Sequence, residues 1–380
     1  MLTIQINLER HLHIVSLDIP WPADYGGVID IFNKISALHK IGIRIYLHCF
    51  EYGRSRQAVL EKYCAEVHYY KRRYPVQSIS ATRPYIVLSR KNEELAQNLL
   101  KNDYPILLEG IHCTAFFDDK RFQNRKFLLR LHNVEYRYYR NLYRSENSWF
   151  PRWYFFAESV LLYYYEKKLA KKARIAAISE SDLNHYRSRF KAKDIHYIPA
   201  LLPFEKVNSK LGRGEYCLYH GNLAVNENEE VALYLITKLV PALSVPLIIA
   251  GKNPSERLIR MAEGKSGLTL IPNPDDAQLL DLIRNAQVNI LLSVITTGIK
   301  LKILNALFNG RHCLINKKEN IDHPAAELCH HIHSPEDLVP AVELLMKTDF
   351  TENDIARRKA ALENTYDNEK NARLLATLIW

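Results

Sequence analysis

Short apolar runs alternate with amphipathic stretches along the first 200 residues of the chain. The run 12–17 has the length and composition of a buried strand, and the stretch 28–42 repeats its apolar residues at helical spacing. The same alternation continues with further apolar runs at 43–50, 105–110, 126–132 and 174–179. Strands and helices that alternate in this way predict a parallel sheet with helices on both faces.

The periodicity lapses around 198–215, where two prolines and two glycines indicate a linker. The pattern then begins again with apolar runs at 216–221, 246–251, 268–272, 288–293 and 312–316. We therefore predict an α/β chain of two doubly wound domains that face each other across a cleft. Because such sheets bind ligands at the carboxyl ends of their strands, we expect the functional site in that cleft. The predicted division is an N-terminal domain at 1–198, a linker at 199–214, a C-terminal domain at 215–364 and a final helix at 365–380.

Composition narrows the class of protein. The chain has 380 residues, 47% of them hydrophobic, which is enough for two domains of ordinary size. It contains no run of 18 apolar residues, so no membrane-spanning helix is predicted. Its first residues do not resemble a signal peptide. The six cysteines are scattered without metal-binding spacing, so we expect buried thiols in a reducing cytoplasm.

Charge is distributed unevenly. Residues 1–200 hold 32 Lys and Arg against 20 Asp and Glu, a net charge of +12, and the remainder holds 20 against 22, a net of −2. The segments 71–74 and 137–156 interleave cations with aromatic residues, which suits an anionic membrane surface or a nucleic acid. A solvated basic face is the simpler interpretation, since no nucleic-acid-binding motif accompanies the charges. For the helical stretch 153–173 we predict a core helix, with a membrane-interface helix as the alternative.

Polar residues follow two strands of the first half. The loop after the first strand ends in Gly26 and Gly27, directly before a helix, where backbone N–H groups can approach an anion closely. A simple turn is the alternative interpretation. His132, Asn133 and Glu135 follow the strand 126–132, which makes them candidate site residues at its carboxyl end.

The second half places lysines where they are electrostatically unfavourable. The segment 296–313 predicts a mostly buried helix that ends before Gly310, yet Lys300 and Lys302 lie in its first turn. A cation there costs about 0.3–1 kcal/mol, because the unpaired N–H groups are already partly positive. We therefore expect an anion nearby, and a diphosphate fits, with Lys252 as a further cation. The alternative is that both lysines extend into solvent.

The ordered motifs of the chain resemble those of a known family. A Gly-Gly loop, a His-Asn-x-Glu strand exit, "AISESD", "YHGNL", "IIAGKNP" and "GIKLKILNALFNG" occur in the order found in retaining GT-B glycosyltransferases of glycosyltransferase family 4. The likeness covers nearly the whole chain, and the segment "TTGIKLKILNAL" is similar to the branch of that family that carries a Gly-x-Lys-x-Lys motif. It implies a GT-B fold of two Rossmann-like domains, a nucleotide-sugar donor held mainly by the C-terminal domain, an acceptor on the first domain, and a final helix that returns to the first domain.

The resemblance also implies roles for individual residues. His132 would contact the transferred sugar, and Lys300 and Lys302 would neutralise the diphosphate leaving group, so these three are the predicted catalytic residues. The predicted donor-binding residues are Gly26, Gly27, Gly221, Asn222, Gly251, Lys252, Asn273, Thr297, Gly298, Ile299 and Asn305. The predicted acceptor-side residues are Asp24, Tyr25, Asn133, Glu135 and Ser179. No metal and no cofactor are expected, since the nucleotide-sugar is a substrate.

The sequence departs from the family pattern in two respects. Thr297 and Asn305 occupy positions where many members carry glutamates. Members also usually place an Arg and a Lys after the first strand of the C-terminal domain to grip the diphosphate, whereas the segment "GNLAVNENEE", with Asn222, contains no cation. Alternatives therefore stay open: a catalytically weak or inactive GT-B-like protein, or a basic nucleic-acid-binding protein.

The expected activity is retaining transfer of a hexose from a UDP- or GDP-sugar. The expected acceptor is a saccharide or a lipid-linked saccharide, in cell-surface polysaccharide or glycan synthesis. We expect a cytoplasmic protein with a peripheral contact to the inner face of an anionic membrane, and no nucleic-acid partner.

Overall fold

The structure is a computed structural model of the 380-residue chain, and it describes residues 9–24, 26–73, 80–146, 148–293, 301–316 and 325–380. The described chain divides into two compact units. Unit 1 comprises the chain up to Pro203 together with Tyr366–Trp380, and unit 2 comprises Phe204–Thr365. The boundary at Pro203 falls inside 199–214, the stretch predicted as a linker.

Unit 1 contains a seven-stranded sheet in the order β3-β2-β1-β4-β5-β6-β7, in which every pairing is parallel. The strand order reverses between β1 and β4, which is the position where doubly wound sheets bind ligands at their carboxyl edge. Its strands are β1 Arg10–Ser16, β2 Ile43–Glu51, β3 Glu66–Lys71, β4 Ile106–Glu109, β5 Phe127–Leu131, β6 Arg174–Ala177 and β7 Ile195–Tyr197. Its helices are α1 Gly26–Lys40, α2 Tyr85–Leu88, α3 Glu93–Leu99, α4 Glu135–Ser145, α5 Trp149–Leu169, α6 Glu180–Phe190 and the C-terminal α13 Asn368–Ile379.

Unit 2 contains a six-stranded parallel sheet in the order β10-β9-β8-β11-β12-β13, with its reversal between β8 and β11. Its strands are β8 Cys217–Asn222, β9 Leu247–Lys252, β10 Leu268–Pro272, β11 Val288–Ile290, β12 His312–Ile315 and β13 His330–His331. Its helices are α7 Asn226–Tyr234, α8 Glu256–Ala262, α9 Asp276–Asn285, α10 Leu301–Asn309, α11 Leu338–Lys347 and α12 Glu352–Leu362.

The C-terminal helix α13 belongs to the core of unit 1. Its buried residues Leu375 and Ile379 share one apolar cluster with Ile31 and Leu38 of α1. The side chain of Asn368 joins the start of α13 to the backbone of Leu202, donating to its carbonyl oxygen at 2.7 Å and accepting from its N–H at 3.0 Å. Apolar burial and these hydrogen bonds therefore hold the end of the chain to unit 1.

The alternation read from the sequence is confirmed, since every predicted strand forms. Three described strands, β3, β7 and β13, were not predicted. They lie at sheet edges and are short or mixed in polarity, as "EVHYYK" in β3 illustrates, so a single-sequence pattern carries little signal for them. All six cysteines are buried free thiols, as expected. Among the described residues, no helix is both long and apolar enough to cross a membrane.

Candidate functional site

A fully buried ion network lies at the carboxyl edge of the unit 1 sheet, beside the reversal between β1 and β4. Lys34 Nζ of α1 lies 2.7 Å from Asp30 and 2.9 Å from the carboxylate of Glu109, the last residue of β4. Arg130 of β5 donates to Asp30 at 2.9 Å. His132, directly after β5, places its Nε2 2.9 Å from Glu109 Oε2. The network thus connects the candidate His132 to three elements of unit 1.

The charges of this network compensate one another. Asp30, Lys34, Glu109 and Arg130 are all completely buried, and their two carboxylates match their two cations in formal charge. Burial alone would raise the pKa of Asp30, but the Arg130 guanidinium and the Lys34 ammonium hold that pKa well below its ordinary value. For Glu109, Lys34 and then His132 likewise outweigh burial and lower the pKa. Both carboxylates are therefore ionised at neutral pH.

The donor set Asp30, Glu109 and His132 has the right chemistry for a metal, with ligand atoms within 4.8 Å of one another. Two observations argue against a resident metal at this point. The Lys34 ammonium already lies within 2.9 Å of both carboxylates, and Arg130 donates to both carboxylate oxygens of Asp30. Lysine therefore supplies the positive charge that a metal would bring.

The loop that leads into α1 is held by Arg54. Its guanidinium forms ion pairs with Asp24 and, at 3.3 Å, with Asp18, and it donates to the carbonyl oxygen of Pro22 at 2.6 Å. The acceptor-side candidate Asp24 is therefore engaged in positioning the loop. Helix α1 begins at Gly26, so the N–H groups of Gly26 and Gly27 lie in its first turn. Tyr25 lies outside the described residues.

Glu135, another acceptor-side candidate, is buried at the start of α4. The carboxylate of Glu166 from α5 accepts the backbone N–H groups of Glu135 and Tyr136, both at 2.9 Å, and thereby caps α4. Burial, and then the nearby Glu166, raise the pKa of Glu135 to about 8, while the Asn133 amide lowers it slightly by hydrogen bonding. Burial also raises the pKa of Glu166 to about 7. Glu135 is consequently a largely protonated acid at neutral pH.

Ser179, a further acceptor-side candidate, is the N-cap of α6. Its hydroxyl oxygen accepts the backbone N–H of Asp182 at 3.1 Å, and the residue is buried. This capping contact accounts for a serine at this position without a ligand.

In unit 2, several donor-side candidates meet at the carboxyl edge of neighbouring strands. Gly221 pairs with Gly251, and Asn222 pairs with Lys252, at the ends of β8 and β9. A Cβ atom on Gly251 would lie 2.0 Å from the carbonyl oxygen of Gly221, so close strand packing by itself requires glycine there. Asn273 follows β10, and its side chain accepts the N–H of Asn253 at 2.8 Å. These contacts hold the backbone at the carboxyl ends of β8, β9 and β10. The Lys252 side chain at this edge is exposed.

Lys302 points inward at the reversal between β8 and β11. Its Nζ donates to the carbonyl oxygen of Leu292 at 3.2 Å and lies 5.2 Å from the centre of the Tyr219 ring. Burial, and then the charge of Lys302, lower the pKa of His220 to about 3. The alternative of a lysine extended into solvent therefore does not describe Lys302.

The rest of the predicted donor set comprises Asn305 on α10 and a segment outside the described residues. Asn305 is half-buried, and its side-chain oxygen accepts the Asn309 amide at 2.9 Å, one turn further along α10. Thr297, Gly298, Ile299 and Lys300 lie outside the described residues.

The sequence reasoning missed the partners of both candidate clusters. In unit 1 these are Asp30, Lys34, Glu109 and Arg130. The available signal was a charged residue inside an apolar run, as in "PILLEG" and "KFLLRLH", since a buried charge requires a partner. In unit 2, Ser293 donates to Glu227 at 2.6 Å just after β11, and no local pattern indicates that pair.

Comparisons with known proteins address the fold. No protein-family model matches the sequence. A curated relative, described as an uncharacterized 44.6 kDa protein in the cps region of Klebsiella pneumoniae, is 28% identical over 318 residues, covering 78% of this chain and 80% of the relative.

Solved structures are similar over almost the whole chain. A glycosyltransferase from Rickettsia africae superposes with a TM-score of 0.63 at 13% identity, over 98% of this chain and 99% of the other. TarM of S. aureus superposes with a TM-score of 0.68 at 10% identity, over 97% of this chain and 98% of TarM. Anabaena HepE, in complex with UDP and glucose, superposes with a TM-score of 0.63 at 12% identity, over 97% of this chain and 100% of HepE. The chain has a GT-B glycosyltransferase fold. The predicted α/β class with two parallel, doubly wound sheets is thus confirmed, and at these identities the likeness concerns the fold alone.

Proposed function

We propose that this protein is a retaining, metal-independent glycosyltransferase. In this proposal it transfers a hexose from a UDP- or GDP-sugar to a saccharide or lipid-linked saccharide in the synthesis of a cell-surface polysaccharide or glycan. The observation that carries the proposal is the fold, which matches glycosyltransferases over 97–98% of the chain. The HepE complex with UDP and glucose supports a nucleotide-sugar as the donor class.

The chemistry at the two carboxyl edges supports the same assignment. Lys302, half-buried at the strand reversal of unit 2, is a cation suited to a donor diphosphate. His132 in unit 1 is held by Glu109, so its imidazole has a fixed orientation for contacting the transferred sugar. Lys300 and the backbone of Thr297, Gly298 and Ile299 remain proposed diphosphate ligands.

The proposed reaction breaks the bond between the anomeric carbon and the donor diphosphate oxygen. A new bond forms between that carbon and the acceptor oxygen on the same face of the sugar. The acceptor proton passes to the departing diphosphate, whose negative charge Lys302 stabilises. No protein side chain is assigned as the general base.

The acceptor is proposed to bind unit 1, whose portion of the chain up to residue 200 carries the net charge of +12. An anionic, membrane-borne acceptor such as a lipid-linked saccharide is complementary to that charge. The proposed location is the cytoplasm, at the inner face of a membrane.

Thermal-shift measurements with UDP, GDP and their hexose derivatives test the donor class. We expect stabilisation by one nucleotide series, and Lys302→Met should weaken that binding roughly ten- to hundredfold, because an interaction with a charged group is lost. Lys265→Met is the matched control, since Lys265 is an exposed lysine of the same unit.

The accompanying transfer assay should yield a product that retains the anomeric configuration of the donor. A protein that ignores every nucleotide, and that instead binds nucleic acid with an affinity falling steeply as salt increases, would overturn the assignment. A protein that binds the nucleotide but transfers no sugar to any acceptor would instead be an inactive GT-B-like protein. That alternative rests on the departures from the family pattern at Asn222, Thr297 and Asn305.

A further inference from the structure

Helix α5 of unit 1 has two faces with opposite environments. One face is anchored in the unit. Glu158 accepts the backbone N–H of Ile86 at 3.0 Å, Ser159 donates to the carbonyl oxygen of Tyr136 at 3.0 Å, and Leu162 is completely buried. The prediction of a core helix for 153–173 therefore holds only for this face.

The opposite face of α5 is an exposed aromatic stripe. It comprises Trp149, Trp153, Phe156, Val160 and Tyr164, which recur every three or four residues and so lie on one side of the helix. Trp149 is 73% exposed and Trp153 58% exposed, and the adjacent Phe150 is also 73% exposed. A contiguous apolar face of this kind on a water-exposed protein surface indicates an interaction site, because exposing so much apolar area to water is unfavourable.

Cations border the aromatic stripe. Arg140 and Arg144 are exposed on the neighbouring helix α4, and Arg152 is exposed on α5, where its guanidinium lies 5.0 Å from the centre of the Tyr143 ring. Both acidic residues of α5, Glu158 and Glu166, lie on its buried face. The exposed side of this helical hairpin is therefore aromatic and positively charged, without compensating carboxylates on α5.

A groove of about 360 Å³ adjoins the stripe between α4, α5 and α6. Phe156, Val160 and Tyr164 belong to both the stripe and the groove wall, and Arg140 and Arg189 line the groove as well. Two guanidinium groups beside aromatic walls provide suitable contacts for a lipid phosphate at the depth of the headgroups.

We infer that the α4–α5 hairpin is a docking surface for an anionic lipid bilayer. Tryptophan and tyrosine side chains favour the membrane–water interface, and arginines beside them meet anionic headgroups. A second copy of the chain is a poorer occupant. In a two-fold dimer the same patch faces itself, so the cations Arg140, Arg144 and Arg152 would face a surface that carries the same positive charges.

This inference deepens the membrane-borne acceptor of the proposed function by naming the surface that reaches the bilayer. Its test needs no sugar transfer. Nucleotide binding, measured without vesicles, tests the proposed function separately, so the failure of one is distinguishable from the failure of the other.

The experiment is flotation of the full-length protein with phosphatidylcholine vesicles that contain or lack phosphatidylglycerol. We expect flotation with the anionic vesicles alone, and binding that weakens as salt increases, since exposed charges are screened. The double variant Trp149→Ser/Trp153→Ser should bind at least about tenfold more weakly. For the double variant Arg140→Glu/Arg144→Glu, the affinity for anionic vesicles should fall at least about fivefold for each cation replaced.

Matched controls lie in unit 2. Leu344→Ser changes a side chain that is 66% exposed, and Lys238→Glu/Lys265→Glu reverses two exposed cations, so neither should alter flotation. Circular dichroism of each variant confirms folding, because the replaced side chains face solvent. The inference is overturned if the wild-type protein ignores anionic vesicles at low salt, or if the controls lose binding as much as the hairpin variants. It is also overturned if sedimentation shows a dimer that Trp149→Ser/Trp153→Ser dissociates, because a second copy would then cover the stripe.

Discussion

The imidazole of His132 and the carboxylate of Glu109 are hydrogen-bonded at 2.9 Å, although Glu109 ends β4, His132 follows β5, and the two are 23 residues apart in the chain. Glu109 is completely buried and also binds the Lys34 ammonium at 2.9 Å. One carboxylate therefore orients the histidine and compensates a buried lysine. His132 is positioned by this network, and changes to its members should affect stability and activity in different proportions.

Replacing Lys34 with methionine should strongly destabilise the protein. The substitution leaves Arg130 paired with Asp30 but removes the lysine that compensates the buried Glu109. We therefore expect the free energy of unfolding to fall by about 3–5 kcal/mol. Urea denaturation measures the change. Lys40→Met is the control on the same helix, because the exposed Lys40–Glu369 pair should contribute no more than about 1 kcal/mol. Equal losses in the two variants would contradict the compensating role of Lys34.

Replacing His132 with alanine should lower kcat for sugar transfer about 10²-fold or more, if the proposed function holds, since a contact made in the transition state is lost. Glu109→Gln should lower kcat less and leave KM for the donor nearly unchanged, because Glu109 acts through the histidine. Nitrogen NMR of His132 should show a changed tautomer distribution in Glu109→Gln, as an amide can present either its oxygen or its NH₂ group to the ring. An unchanged imidazole spectrum would argue for a purely structural Glu109.

The buried Glu135 should make stability depend on pH. Its pKa of about 8 in the folded protein lies above the ordinary 4.5, so the folded state keeps a proton that the unfolded chain releases between these values. Stability therefore falls as pH rises from about 4.5 to about 8, by at most about 1.4 kcal/mol per pH unit from this group.

Glu135→Gln should flatten that dependence and raise the melting temperature more at pH 8 than at pH 5. Thermal unfolding across this range measures the effect. Glu94→Gln, at an exposed position in α3, is the control and should leave the pH dependence as it is in the wild type. A Glu135→Gln profile that parallels the wild-type profile would show that Glu135 is ionised in the folded protein throughout this range.

Replacing Gly251 with alanine should separate the ends of β8 and β9. The added Cβ would meet the Gly221 carbonyl oxygen at 2.0 Å, a distance that requires a backbone shift. We expect a loss of unfolding free energy above about 3 kcal/mol, as for severe overpacking. Gly264→Ala is the comparison, because its Cβ would enter open space and only the φ of +69° is unfavourable, at about 1–2 kcal/mol. A smaller loss at Gly251 than at Gly264 would contradict the close approach of the two strands.

The sequence by itself determined the α/β class, the repetition of the pattern in two halves, and the placement of His132 and Lys302 at element ends. These features follow from short-range periodicity, because a buried parallel strand is a continuous apolar run and its covering helix is amphipathic. The family resemblance added the GT-B architecture, and the fold agrees with it.

Tertiary structure alone decided which charges meet. Asp30 and Lys34 from α1, Glu109 from β4, Arg130 from β5 and His132 directly after β5 come together because parallel strands bring distant segments to one edge of a sheet. It also decided that one face of α5 is exposed, since a helix that is apolar around most of its circumference does not reveal which side is covered. Local sequence specifies the elements, whereas pairing and burial depend on contacts between residues far apart in the chain.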